Sequence, residues 1–191
     1  MNDVTQHIRP APKRPRWGWL AWEATVGYIS QYHSPDATLK IEVYPGKHIV
    51  NWAASLTWGG NTEEVRDCLS LAEVLSSLWS EVEKHQDLFH SFDAAVRRPT
   101  NYADDDWLDE HTYEGLSRLI HVTDTVFQGD WLIVIVYRPV DEPDQRLKTR
   151  LIAEHIEVNR GGNGATLRNA CRDLYHKAAP IYQKYRHKDD E

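Results

Sequence analysis

Asp104, Asp105, Asp106, Asp109, Glu110 and His111 crowd into one short stretch of the chain. Hard cations take several carboxylate oxygens, and a metal so held activates water or polarises a carbonyl, which is the chemistry of a metal-dependent hydrolase. The stretch lacks the alternating ligands, central Gly and distal Glu of a calcium-binding loop. A solvated linker running into a helix start accounts for the same residues, so no metal and no cofactor is expected.

Gly161, Gly162 and Gly164 lie between a strand-like run and a helix, where backbone amides and the helix dipole cradle anions. Leu167 stands where a dinucleotide fingerprint needs its third Gly, and no Gly-Lys-Ser/Thr follows for a nucleotide phosphate. A turn is the simpler reading. His85, His90, His111, His121, His155 and His176 show no HExxH or Cys-x-x-Cys spacing, and surface positions are expected for them. There is no Gly-x-Ser-x-Gly elbow. The two cysteines are Cys68, without the local signature of a nucleophile, and Cys171, at an apolar helix position; both fit a reduced, cytoplasmic setting.

Eight Trp and nine Tyr stand out in a chain of 191 residues. Trp17, Trp19, Trp22, Trp52, Trp58 and Trp131 are the candidate anchors of an exposed aromatic patch, wherever helices leave them uncovered. They point to a non-catalytic binding or interaction module that engages a protein or a small molecule. A homo-oligomer would use the same patch. The formal charge of −7 opposes binding to phosphate backbones and anionic membranes. Single-stranded nucleic-acid binding is therefore the third reading, after the hydrolase. It would use stacked aromatics and the arm where Arg9, Lys13, Arg14 and Arg16 alternate with Pro10, Pro12 and Pro15. No segment has the length of a signal peptide's apolar core or of a membrane span.

Two patterns half a chain apart organise these residues. Leu71, Val74, Leu75, Leu78, Trp79 and Val82 fall at helical spacing, and Leu167, Ala170, Cys171, Leu174, Tyr175 and Ala178 repeat it, with Ser70 and Thr166 at the N-cap. Ser70 and Glu73 form a capping box, and the first helix is expected to run to about Asp87. Gly59-Gly60-Asn61 and Gly161-Gly162-Asn163 precede the two helices and read as equivalent turns.

Strands are expected over Trp17 to Ile29, Leu39 to Tyr44 and Val50 to Trp58 in the first copy. In the second they are expected over Val122 to Phe127, Trp131 to Arg138 and Leu147 to Val158. The run from Trp131 to Tyr137 lacks alternation, which suggests a central strand buried on both faces. Between the copies, a short helix ends near Leu119, interrupted by Gly115; Phe89 and Phe92 return to the core; Pro180 kinks or stops the last helix.

The fold class is α+β: an antiparallel sheet of about six strands from two fused β-β-β-α units, with two long helices packed on one face. Residues 1–16 form a basic Pro-rich arm. Residues 17–183 make one domain of two repeats, 17–92 and 120–183, joined by an acidic linker, and 184–191 is a frayed tail.

Overall fold

Alternation builds the sheet. In β1 (Thr38–Tyr44), Leu39, Ile41 and Val43 are buried while Lys40 and Glu42 are only half-buried. In β2 (Asn51–Trp58), Trp52, Ala54, Leu56 and Trp58 share that buried face, since Leu39 pairs with Leu56, Ile41 with Ala54 and Val43 with Trp52. The computed structural model describes residues 18–47, 49–85, 88, 110–153 and 158–186. The arm 1–16, Phe89, Phe92, Asp104 to Asp109, His155 and residues 187–191 lie outside that description.

Gly59 and Gly60, with φ of 52° and 83°, make a tight turn that returns the chain as β3 (Asn61–Cys68). The second half repeats this meander as β4 (Leu132–Tyr137), β5 (Leu147–Ala153) and β6 (Val158–Gly164). The six strands run in the order β3-β2-β1-β4-β5-β6, every neighbour antiparallel. At the seam, Leu39 faces Tyr137, Ile41 faces Ile135 and Val43 faces Ile133. The two halves are thus related about the Ile41 and Ile135 pair.

Four helices complete the described residues: α1 (Gly18–Tyr32), α2 (Leu71–Val82), α3 (Glu110–Phe127) and α4 (Leu167–Arg186). α2 packs on β2 and β3, and α4 packs on β5 and β6, each over the buried face. The Ser70 cap forms as its spacing requires, Glu73 N donating to Ser70 Oγ at 3.1 Å, while the Glu73 side chain reaches back one residue beyond the cap, Oε2 accepting from Leu69 N at 2.8 Å. Thr166 caps α4 in the same way, accepting from Asn169 N at 3.3 Å. α1 crosses between the halves, with Trp22 edge-on to Trp79 of α2 at 5.5 Å and Trp19 edge-on to Tyr137 of β4 at 6.5 Å. α3 is tied to α4 by Thr123 Oγ1 and the Tyr182 hydroxyl, 2.9 Å apart. No helix among the described residues is long and apolar enough to cross a membrane.

Several expected elements differ. Residues 18–32 are helix rather than strand, because Trp19, Trp22, Val26 and Ile29 recur at helical spacing and all bury. Val122 to Phe127 continues α3 instead of opening a hairpin. Its β-branched residues are accommodated by Thr123 and Thr125, whose hydroxyls donate to the carbonyls of Leu119 and His121. Gly115 does not interrupt this helix, and its position is open to solvent. α2 ends at Val82, before Asp87. The third strand of each half is one that carried no apolar alternation: β3 is charged and β6 is glycine-rich.

The two Gly-Gly-Asn segments are therefore not equivalent. The first is a hairpin turn, while the second lies inside β6. β5 ends at Ala153, short of the expected Val158. β4 is central, yet it alternates and buries one face only. α4 runs through Pro180, whose ring sits on the exposed side.

Candidate functional site

A left-handed aspartate shapes one end of the first half. Between Trp52 and Ala54 the pairing with β3 shifts by one residue, and Asp67 takes φ of 59° there, held by the Tyr44 hydroxyl donating to its Oδ1 at 2.9 Å. The bulge bends the chain before α2 so that Leu69 stands 58% exposed. Leu69 precedes the N-cap, where an apolar side chain commonly staples onto the fourth helical residue. That residue, Val74, is fully buried, whereas Leu69 stands largely in solvent.

Leu69 faces a cleft of about 400 Å³ whose other walls are Ile49, Val50 and Trp52 from the β1–β2 connection and β2, Ser70 to Ala72 from the start of α2, and one stripe of α3. The stripe is Tyr113, Leu116, Ser117, Ile120, His121 and Asp124, spaced as one helical face requires. Ile49 is 53% and Tyr113 48% exposed, so three of the five exposed large apolar side chains of the described residues rim this one cleft. Among the described residues no Lys or Arg lines it. Asp124 brings a carboxylate to the lining, its Oδ1 accepting from Trp131 Nε1 at 3.0 Å.

The tryptophans occupy other places. Trp19, Trp22, Trp52, Trp58 and Trp131 are between 2% and 7% exposed, so these five form no exposed aromatic patch. The reason is the helix α1 where a strand was expected: it carries Trp19 and Trp22 into the core, while Trp58 packs edge-on to His85 at 5.1 Å. Only Trp52 of the five reaches the cleft, where it is buried in the wall. Trp17 lies outside the described residues. Of the acid cluster, Glu110 and His111 open α3 with side chains outside the description, and Asp104 to Asp109 fall outside it altogether.

Among the described residues no group of three His, Cys, Asp or Glu is placed to hold a metal ion. His85 Nε2 lies 2.7 Å from Glu63 Oε1, a pairing that clasps the end of α2 to β3. Neither thiol is activated: burial raises Cys171 to about 12, and burial, with the Glu73 charge adding to it, raises Cys68. Burial likewise pushes the Tyr182 hydroxyl up to about 12. On α1, burial raises the carboxyl of Glu23 despite the hydrogen bond from Trp19 Nε1, 2.6 Å away, and the attraction of Arg146.

Sequence reasoning missed Ile49, Leu69 and Tyr113. They come from a loop, a helix junction and a distant helix, and no local pattern joins them. No protein-family model matches the chain, and comparison with curated proteins finds no relative.

Proposed function

We propose that the protein is a non-catalytic binding module that receives apolar side chains of a protein partner in the cleft between α3 and the start of α2. The convergence of Ile49, Leu69 and Tyr113 on one cavity supports this reading: a folded chain tolerates scattered exposed apolar residues, whereas a contiguous apolar lining with a few polar groups marks a site of binding. The cleft's half-exposed rim suits an inserted segment better than an enclosed small molecule, which buries about 70–90% of its surface in its pocket.

The neutral dye Nile red, whose emission rises in apolar surroundings, tests the site. Leu69→Ser and Ile49→Ser alter exposed side chains and leave the fold in place. Each is expected to weaken dye binding by about fivefold or more, in line with removal of one buried apolar side chain from a complex. Dye binding unchanged in both variants overturns the proposal.

A further inference from the structure

The cleft reads out its occupant through its shape and its charge. The lining stripe of α3 from Tyr113 to Asp124 covers three turns, about 16 Å along the helix axis. β2, the strand that contributes Trp52 to the lining, is already paired on each side, with β3 and with β1. An extended peptide therefore finds no free strand edge to join. A helix laid along α3 needs none, and it presents apolar residues at i, i+3 or i+4, and i+7 to a groove of this kind.

Charge selects among helices. Asp124 lies in the lining, Glu73 stands exposed in the first turn of α2 beside it, Asp67 is exposed before Leu69, and Glu114 is exposed next to Tyr113. Among the described residues, the cations nearest in sequence to the lining, Lys47, Arg66 and Arg118, are exposed and do not line the cleft, and Arg66 pairs with Glu64 at 2.7 Å. The chain as a whole carries −7. We infer that the occupant is an amphipathic helix of a partner protein, about three turns long, with Lys or Arg flanking its apolar row so that a cation meets the Asp124 carboxylate. This rests on the reading of the cleft as a binding site.

Fluorescence anisotropy with two synthetic amidated peptides of about 14 residues tests it, both carrying Leu at i, i+3 and i+7, one with Lys and the other with Glu on the flanks. The Lys peptide is expected to bind about fivefold more tightly than its Glu twin at low salt, to gain helicity on binding, and to lose the advantage as salt rises. Asp124→Asn keeps an acceptor for Trp131 Nε1 and removes the charge, so it is expected to narrow the ratio to about twofold or less. Glu114→Gln, on an exposed side chain, makes the same measurement if the first variant does not fold.

Equal binding of the two peptides, or a ratio unmoved by these variants, overturns the cationic partner. Failure of both peptides while Nile red still responds to Leu69→Ser overturns the helix and leaves the binding-module reading standing. A dye response indifferent to Leu69→Ser overturns both.

Discussion

The two halves share a meander and a capped helix, but they solve the contact between last strand and helix in opposite ways. In the second half, β6 carries Gly162 and Gly164 against α4. A Cβ on Gly162 would lie 2.4 Å from Leu174 N, and one on Gly164 2.5 Å from Ala170 N. The helix backbone thus rests almost on the strand, and Thr149 Oγ1 donates to Ala170 O at 2.9 Å.

In the first half, Val65 and Cys68 take the corresponding pairing positions on β3, opposite Ala54 and Trp52 as Gly162 and Gly164 stand opposite Thr149 and Leu147. Side chains stand there where the second half has the helix backbone directly on glycine, and a bulge at Asp67 redirects the chain into α2. The ends of the halves differ as well. Trp19 packs on Tyr137 at the end of β4, near Arg146, whereas the matching end of the first half opens as the cleft. Glycine and a helix-to-strand hydrogen bond close one copy; a bulge and bulkier strand residues accompany the open cleft of the other.

The comparison is broken most readily at what the halves share. Leu78 in α2 and Leu174 in α4 are both fully buried at the same offset from their N-caps. Leu78→Ala and Leu174→Ala are each expected to cost about 2–5 kcal/mol in denaturant unfolding. A cost below about 0.5 kcal/mol for either would mean that its helix does not share the common core.

The difference between the halves is tested next. Gly162→Val is expected to cost about 3 kcal/mol, because the new atoms meet backbone that cannot retreat, and to lower Tm by about 6–12 °C. The reciprocal Val65→Gly is expected to cost about 2 kcal/mol, from backbone entropy in the strand and the lost packing of a half-buried side chain, with no clash. Equal, small losses would show that the two strand-helix contacts are alike.

The smallest effect sharpens the contrast between the closed and open ends. Burial of Glu23 raises its carboxyl above the ordinary 4.5, so the folded chain holds that proton to higher pH than the unfolded one. Its contribution to stability is complete below the ordinary value and falls as pH rises through the raised one. Glu23→Gln is therefore expected to leave Tm unchanged near pH 4 and to raise it by about 2 °C or less at pH 8. A Tm that falls at pH 8 would mean that the attraction of Arg146 outweighs burial.

Much of the sheet was legible in the residues. Leu39, Ile41 and Val43, and the row from Trp52 to Trp58, alternate as half-buried strands must, and Ser70 with Glu73 marked the start of α2. The third strands were not legible, because β3 is an edge of charged residues and β6 is glycine; backbone pairing, not side-chain burial, makes them strands.

α1 was misread for the opposite reason. Its Trp, Tyr and β-branched residues favour strands, and packing of Trp19, Trp22 and Val26 on the core overrode that preference. These misreadings offset each other, so that six strands were expected and six are present, with the copies placed one element out of step. The cleft was invisible because Ile49, Leu69 and Tyr113 meet only through the tertiary fold.

The seam between β1 and β4 has a kinetic consequence. Ile41 and Ile135 pair across nearly half the chain, whereas each meander and its helix are built from neighbours in sequence. Local units therefore assemble early, and the seam, which must first close a long loop, assembles late. Until it closes, each half exposes an apolar edge strand able to pair with the same strand of another molecule. Tethering the halves in one chain keeps the correct edge at high effective concentration and makes folding a race that the intramolecular partner wins.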